Sequence, residues 1–186
     1  MSDIIDIDID IDIDIDMDDD DDDAVEQAAL AGVPPAPPVA VAPWIFYIIQ
    51  NLPSGGCTYA GVSPTPMQRL RRHNGEISGG AKYTTSKTPG GWRHVCLVHG
   101  FQTSQQALQF EWAVKHVAPR STAGLAARLK KLHTVLGKER WTSKAPLAAS
   151  VPLVVEWCIP LSETVLAPFL PVGSTLPAYV TMQIFN

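Results

Sequence analysis

At 186 residues the chain is sized for a single domain, and its three scattered cysteines, with no CxxC pair and no His at ligand spacing, exclude both a disulfide framework and a zinc site. No apolar run reaches membrane-spanning length, and the acidic N-terminus is the opposite of a secretory or mitochondrial signal; a soluble protein of a reducing intracellular compartment is expected. The net charge of −5 conceals a division: 13 of the 19 acidic residues precede Ala24, while all 14 Lys and Arg lie between Arg69 and Lys144 among only Glu76, Glu111 and Glu139. A body with that excess of positive charge suits a polyanionic partner.

Residues 1–23 alternate Ile with Asp and end in the run Asp18–Asp23. A strand carrying carboxylates two residues apart on one face repels itself, so disorder is expected. Residues 24–43 continue as an Ala/Pro-rich linker, with Pro34–Pro38 favouring extended polyproline geometry. The tail is either an inert solubilising segment or an imitation of a nucleic acid backbone that lies on the basic body.

The folded part is expected to begin near Trp44. The runs Trp44–Ile49 and Cys57–Val62, rich in β-branched and aromatic residues, flank the turn Pro53–Gly56 and read as a β-hairpin bearing Tyr47 and Tyr59. Ser63 or Thr65 followed by Pro66 is a helix-start signal. The helix that follows sets Arg69 and His73 four residues apart on one face, adds Arg71 and Arg72, and gives way to Gly75, Gly79 and Gly80. A fixed guanidinium beside an imidazole suits a phosphodiester, because the planar fork grips phosphate oxygens. After a polar stretch from Lys82 to Gly91, Trp92–Phe101 reads as a third strand, with Val95, Leu97 and His99 alternating against Cys96 and Val98.

Ser104 caps a helix to about His116 whose inward stripe should be Ala107, Leu108, Glu111 and Val114 or Lys115. A carboxylate on the apolar side of a helix is costly unless paired or bound to a cation, so Glu111 is either a salt-bridge partner of an arginine or a metal ligand. A further helix, about Thr122 to Leu136, carries the core stripe Leu125, Leu129, Leu132 and Leu136, with Arg128, Lys130 and Lys131 outward. Val151–Trp157 reads as a last strand. Residues 161–186 are proline-rich and apolar without clear period. The fold class expected is α+β, a small antiparallel or mixed sheet flanked by helices, spanning residues 44–160 with a C-terminal extension of unassigned role.

Taken together, Phe46-Tyr47-Ile48, Tyr59-Ala60-Gly61, Arg69, His73 and Glu111 resemble the GIY-YIG nuclease superfamily. Arg69-Leu-Arg-Arg-His-Asn-Gly75, Gly79-Gly-Ala-Lys-Tyr-Thr84, Val98-His-Gly-Phe101 and Leu108-Gln-Phe-Glu-Trp112 look more specifically like the catalytic subunit of the eukaryotic SLX-type structure-specific endonuclease. The resemblance implies Tyr47, Tyr59, Arg69, His73 and Glu111 as catalytic residues, with a single Mg²⁺ or Mn²⁺ on Glu111. Arg69 would clamp the scissile phosphate, and Tyr59 would hold the water or phosphate. Either Tyr47 or His73 would serve as general base, the imidazole having an ordinary pKa of about 6.5. Arg69, Arg71, Arg72, Lys82 and Lys87 are expected on DNA. The resemblance further implies branched DNA as substrate, a nuclear location and a scaffold subunit, whereas the Cys/His pairs of the family's RING-type domain are lacking. The alternative is a catalytically silent DNA- or protein-binding domain of the same fold.

Overall fold

The computed structural model describes residues 44–184 apart from 88, 121 and 122. The tail and linker, and Thr122 as the expected start of a helix, lie outside the described residues. Strands β1 (Trp44–Asn51) and β2 (Cys57–Ser63) form the expected antiparallel hairpin, followed by α1 (Pro66–His73). The stretch after α1 contains a four-residue helix, α2 (Lys82–Thr85), before β3 (Trp92–Phe101). Then come α3 (Ser104–His116), α4 (Gly124–Leu136), β4 (Leu153–Trp157), α5 (Glu163–Phe169) and β5 (Val180–Ile184). The sheet is mixed, in the order β2-β1-β3-β4-β5, antiparallel throughout except for the β4–β5 pair.

The sheet separates two apolar clusters. The larger one gathers Phe46, Ile48, Val98 and Phe101 from the strands with Phe110, Leu129, Leu132, Leu136, Trp141 and Phe169. The smaller one holds Tyr47, Ile49, Trp92 and Leu97, with Tyr59 and Leu70 packed against it. Simple alternation fails within β3. Val95 joins Cys96 and Val98 in the larger cluster instead of Leu97 in the smaller. The β1–β3 register slips between Ile48, opposite Cys96, and Ile49, opposite His94, so Val95 is the extra residue of a bulge. That slip turns the His94 ring toward α1, where Nε2–H donates to the Pro66 carbonyl at 3.2 Å.

Helix α1 is thereby held to β3 at both ends. Pro66 occupies its first turn, where a missing N–H costs nothing, and Thr65 is the cap by position without a side-chain cap bond. Beyond the last turn, the Asn74 amide accepts from the Trp92 N–H at 2.8 Å and donates to the Trp92 carbonyl at 3.1 Å. Helix α3 is capped by Thr103, not Ser104: its hydroxyl accepts from the Gln106 N–H. Its buried stripe is Ala107, Phe110, Ala113 and Val114, and Leu108 points outward, 48% exposed. The bulky Phe110 takes the inward position because its ring packs edge-on to Phe46 at 5.1 Å and to Trp141 at 5.3 Å.

Lys131 also departs from expectation. It is buried, and its ammonium donates to the Lys115 and Arg120 carbonyls at 3.4 and 3.0 Å, covering the C-terminal end of α3. The segment after residue 160 builds α5 and β5 into this fold. Phe169 is fully buried, edge-on to Trp157 at 4.9 Å, and β5 pairs with β4 from Leu153–Val180 to Trp157–Ile184. Removing the Phe169 ring is expected to lower the unfolding free energy of Phe169→Ala by about 3–5 kcal/mol in urea denaturation. A change within experimental error would mean that α5 is not part of the core.

Candidate active site

Hairpin register sets the two tyrosines. Tyr47 stands opposite Gly61 and Ile49 opposite Tyr59, so Tyr47 and Tyr59 project from the same face, with ring centroids 6.5 Å apart. The absence of a side chain at Gly61 is a steric requirement. A Cβ there would overlap the Tyr47 hydroxyl and lie 2.7 Å from its Cζ. The phenol therefore crosses directly over the neighbouring strand.

Across that gap it meets α1. The Tyr47 hydroxyl lies 2.9 Å from His73 Nε2, and both residues are buried, each 1% exposed. The other ring nitrogen, Nδ1, lies 2.8 Å from Thr84 Oγ1. Donor counting fixes the direction of this chain. The Thr84 hydroxyl has one proton and donates it to the Ala81 carbonyl at 2.8 Å. Thr84 must then accept from His73 Nδ1–H. That leaves Nε2 as a bare acceptor, and Tyr47 donates to it. Thr84 closes the Gly79–Thr84 stretch that carries the family resemblance, but no periodic pattern marked it as a partner of His73.

Both members of the pair are uncharged at neutral pH. Burial pushes the Tyr47 phenol well above its ordinary value, and Tyr59 and Glu111 push the same way against the opposing Arg69 guanidinium. Burial lowers the His73 imidazole to about 3, helped by the nearby Arg69 and His94. The imidazole therefore does not have the ordinary pKa that its sequence context implied, because its three polar neighbours are a phenol, a hydroxyl and a cation, with no carboxylate among them.

Arg69, on the same face of α1, is tied by Nη1 to the Gly79 carbonyl at 3.0 Å. Its remaining donors are left to the Tyr47 side. Glu111 comes from α3. Its Oε1 binds Lys115 Nζ at 2.6 Å, and the carboxylate is 14% exposed. The same ammonium lies 5.6 Å from the Tyr59 ring centre, so the ion pair borders the tyrosines. The pair is thus with a lysine one turn along, not with an arginine, and it faces the site. Among the described residues no group of three or more His, Cys, Asp and Glu comes together to hold a metal. The donors present fit one hard divalent cation: a single carboxylate, held by Lys115 through one oxygen, at the edge of the tyrosine pair.

The five candidate catalytic residues thus come to one place, while the expected DNA-contacting residues diverge in their surroundings. Arg71 is bound to Glu76 at 3.0 Å, both exposed. Arg72 runs its aliphatic stem beside Gly79. Lys87 Nζ rests 4.9 Å above the Tyr83 ring, and Lys82 is exposed at the start of α2.

Residues 43–120 match the family described as the GIY-YIG catalytic domain. The match spans β1 to α3 and contains all five candidate catalytic residues. Among curated proteins the chain is similar to the structure-specific endonuclease subunit slx1 of Schizosaccharomyces japonicus, 44% identical over 77 residues, which cover 41% of this chain and 27% of the relative. The protein of the same name in Schizosaccharomyces pombe is 43% identical over 84 residues, 45% of this chain and 30% of the relative. For structure-specific endonuclease subunit SLX1 of Debaryomyces hansenii the values are 38% over 88 residues, 47% and 25%. The chain therefore spans between 25% and 30% of the length of these relatives. Within the matched segment β1 and β2 are paired, and Tyr47 stands opposite Gly61.

Two outcomes follow from this geometry. Gly61→Ala is expected to displace the Tyr47 ring and break its bond to His73, read as loss of the distinct Nδ1–H tautomer signature in ¹⁵N NMR of the imidazole; an unchanged spectrum would contradict the packing. Because the folded-state pKa of His73 is lowered while the unfolded chain protonates near 6.5, the unfolded chain binds the extra proton between about pH 6.5 and 3. Stability should fall as pH falls through that window, by up to about 1.4 kcal/mol per pH unit for each such histidine. His73→Gln should flatten the decline in urea midpoint, and an equally steep variant would show that His73 is charged in the fold.

Proposed function

We propose that this chain is a structure-specific endonuclease hydrolysing phosphodiester bonds in branched DNA, such as 5′ flaps, replication forks and Holliday junctions, with Mg²⁺ or Mn²⁺ at Glu111. The observation that supports this reading is the convergence of the Arg69 guanidinium, the Tyr47–His73 hydrogen bond and the Glu111 carboxylate on one small site. A DNA-binding role alone would call for the cations but not for a buried phenol locked onto an imidazole.

Arg69 grips the non-bridging oxygens of the scissile phosphate, held in orientation by its bond to Gly79. Tyr47 orients the attacking water. As the water oxygen bonds to phosphorus, its proton passes to the Tyr47 oxygen while the phenol proton moves to His73 Nε2. The leaving sugar oxygen departs with the electrons of the broken P–O bond. This concerted passage never requires a free phenolate, the species that burial most disfavours. The charge gathering on the phosphate offsets the positive charge arriving on His73. Tyr59 keeps the phosphate in line. Glu111 would hold the divalent cation, which would supply charge neutralisation for the developing negative charge. The relatives are named as subunits of a structure-specific endonuclease. By analogy this chain works with a scaffold subunit in DNA repair or recombination in the nucleus.

Labelled flap, junction and linear duplex substrates incubated with Mg²⁺ and with EDTA test the assignment. Branched substrates should be cut with Mg²⁺ only; cleavage of none of them would refute it. Arg69→Ala and Glu111→Gln should each reduce cleavage by at least about 100-fold, the scale expected for removing a transition-state charge partner, while leaving the fold intact. Full activity in either variant would remove that residue from the mechanism. Since His73 is already unprotonated above about pH 3, kcat/KM should show no acid limb near 6.5 attributable to it. An inflection there that vanishes in His73→Gln would reverse the assignment.

A further inference from the structure

The chemistry above uses Tyr59 but not the ring that lies on it. Tyr83, in α2, is 46% exposed, and its ring stacks on Tyr59 with centroids 6.3 Å apart and planes inclined by 21°. Trp92 flanks it at 6.4 Å and 55°, and Lys87 Nζ stands 4.9 Å over it. The ring is held by three neighbours while nearly half of the residue meets solvent. Its hydroxyl end lies near Cys57 and within electrostatic reach of Arg128 on α4.

Arg128 is the second, independent observation. It is half-buried, and burial pulls its guanidinium below the ordinary arginine range. No carboxylate pairs with it among the described residues. A guanidinium partly stripped of water and given no anion is costly unless an anion arrives from outside. An exposed aromatic ring with one cation against it and a second, lacking an anionic partner, nearby is an arrangement that suits a nucleotide of a single strand: base on ring, phosphate on cation.

We infer that Tyr83 is a stacking platform for one unpaired nucleobase beside the scissile phosphate, with Lys87 and Arg128 receiving the backbone phosphates that flank it. The adjacency to the scissile phosphate rests on the nuclease reading of Tyr59 and Arg69; the platform itself rests on the stack and the cations. A base inside a duplex has both faces covered and cannot use the ring, whereas the first unpaired base at a branch can. The platform thus selects branched DNA by availability of a free base face, with tolerance for its identity.

The simpler role for Tyr83 is an apolar roof over Tyr59, and Tyr83→Leu separates the two because it keeps the roof and removes the π-face. The probes are flap DNA carrying 2-aminopurine at the first unpaired position and a duplex carrying it at a paired one, each titrated with the full chain in EDTA. The wild type and Tyr83→Phe should quench the unpaired probe and bind the flap within twofold of each other. Tyr83→Leu should lose the quenching and bind the flap about 5- to 150-fold more weakly, the equivalent of about 1–3 kcal/mol for one stacked base, with duplex binding within twofold of wild type. Arg128→Ala should weaken the flap complex and reduce its salt dependence. The platform is overturned if the wild type does not quench the probe, if Tyr83→Leu quenches and binds the flap like the wild type, or if it weakens duplex and flap equally. Cleavage in Mg²⁺ is read separately: quenching without cleavage counts against the nuclease reading and leaves the platform standing, and cleavage without quenching does the reverse.

Discussion

One hydrogen bond joins the two halves of the site: the buried Tyr47 hydroxyl donating to His73 Nε2. It links the central hairpin to the first helix, and nearly every nearby peculiarity serves it. Gly61 clears the path of the phenol. The Thr84 hydroxyl, committed to Ala81, forces the imidazole proton onto Nδ1. The bulge at Val95 and the Asn74–Trp92 amide pair fix the helix over the sheet, so the donor–acceptor distance is a property of the scaffold and not of two flexible side chains. Burial keeps both partners neutral, with the phenol as donor and the imidazole as acceptor.

Much of this was legible in the sequence because it depends on local order. Alternation marked the hairpin, Pro66 marked the start of α1, and the four-residue spacing of Arg69 and His73 put them on one face. The resemblance carried by the tyrosine motifs then agreed with the matched GIY-YIG segment. What escaped was decided by tertiary contact. His73 has an imidazole of ordinary acidity until a phenol, a threonine and an arginine enclose it. Leu108 and Phe110 exchange inside and outside because Phe46 and Trp141 offer an aromatic pocket that only the larger ring fills.

The segment after residue 160 shows a further limit of periodic reading. Pro168 stands inside α5, where a helix pattern would ordinarily be broken, and β5 is largely exposed, so neither shows the usual apolar repeat. Their place is set by Phe169 against Trp157 and by the ladder with β4, contacts that no window along the chain contains. Glu111 was open between an ion pair to an arginine and a cation ligand, and the fold gives it an ion pair to Lys115, one turn along α3.

The inward turn of Lys131 has a consequence for how tightly DNA can be held. Its ammonium neutralises the end of a helix dipole, Arg71 answers Glu76 and Lys115 answers Glu111, so several of the cations counted along the chain are already engaged. Fewer counterions would then be released from a bound duplex than the composition implies, and the ionic-strength dependence of binding would be correspondingly shallow. Under the proposed function, a shallow dependence would permit rapid exchange between ordinary stretches of duplex and leave discrimination to the shape of the substrate.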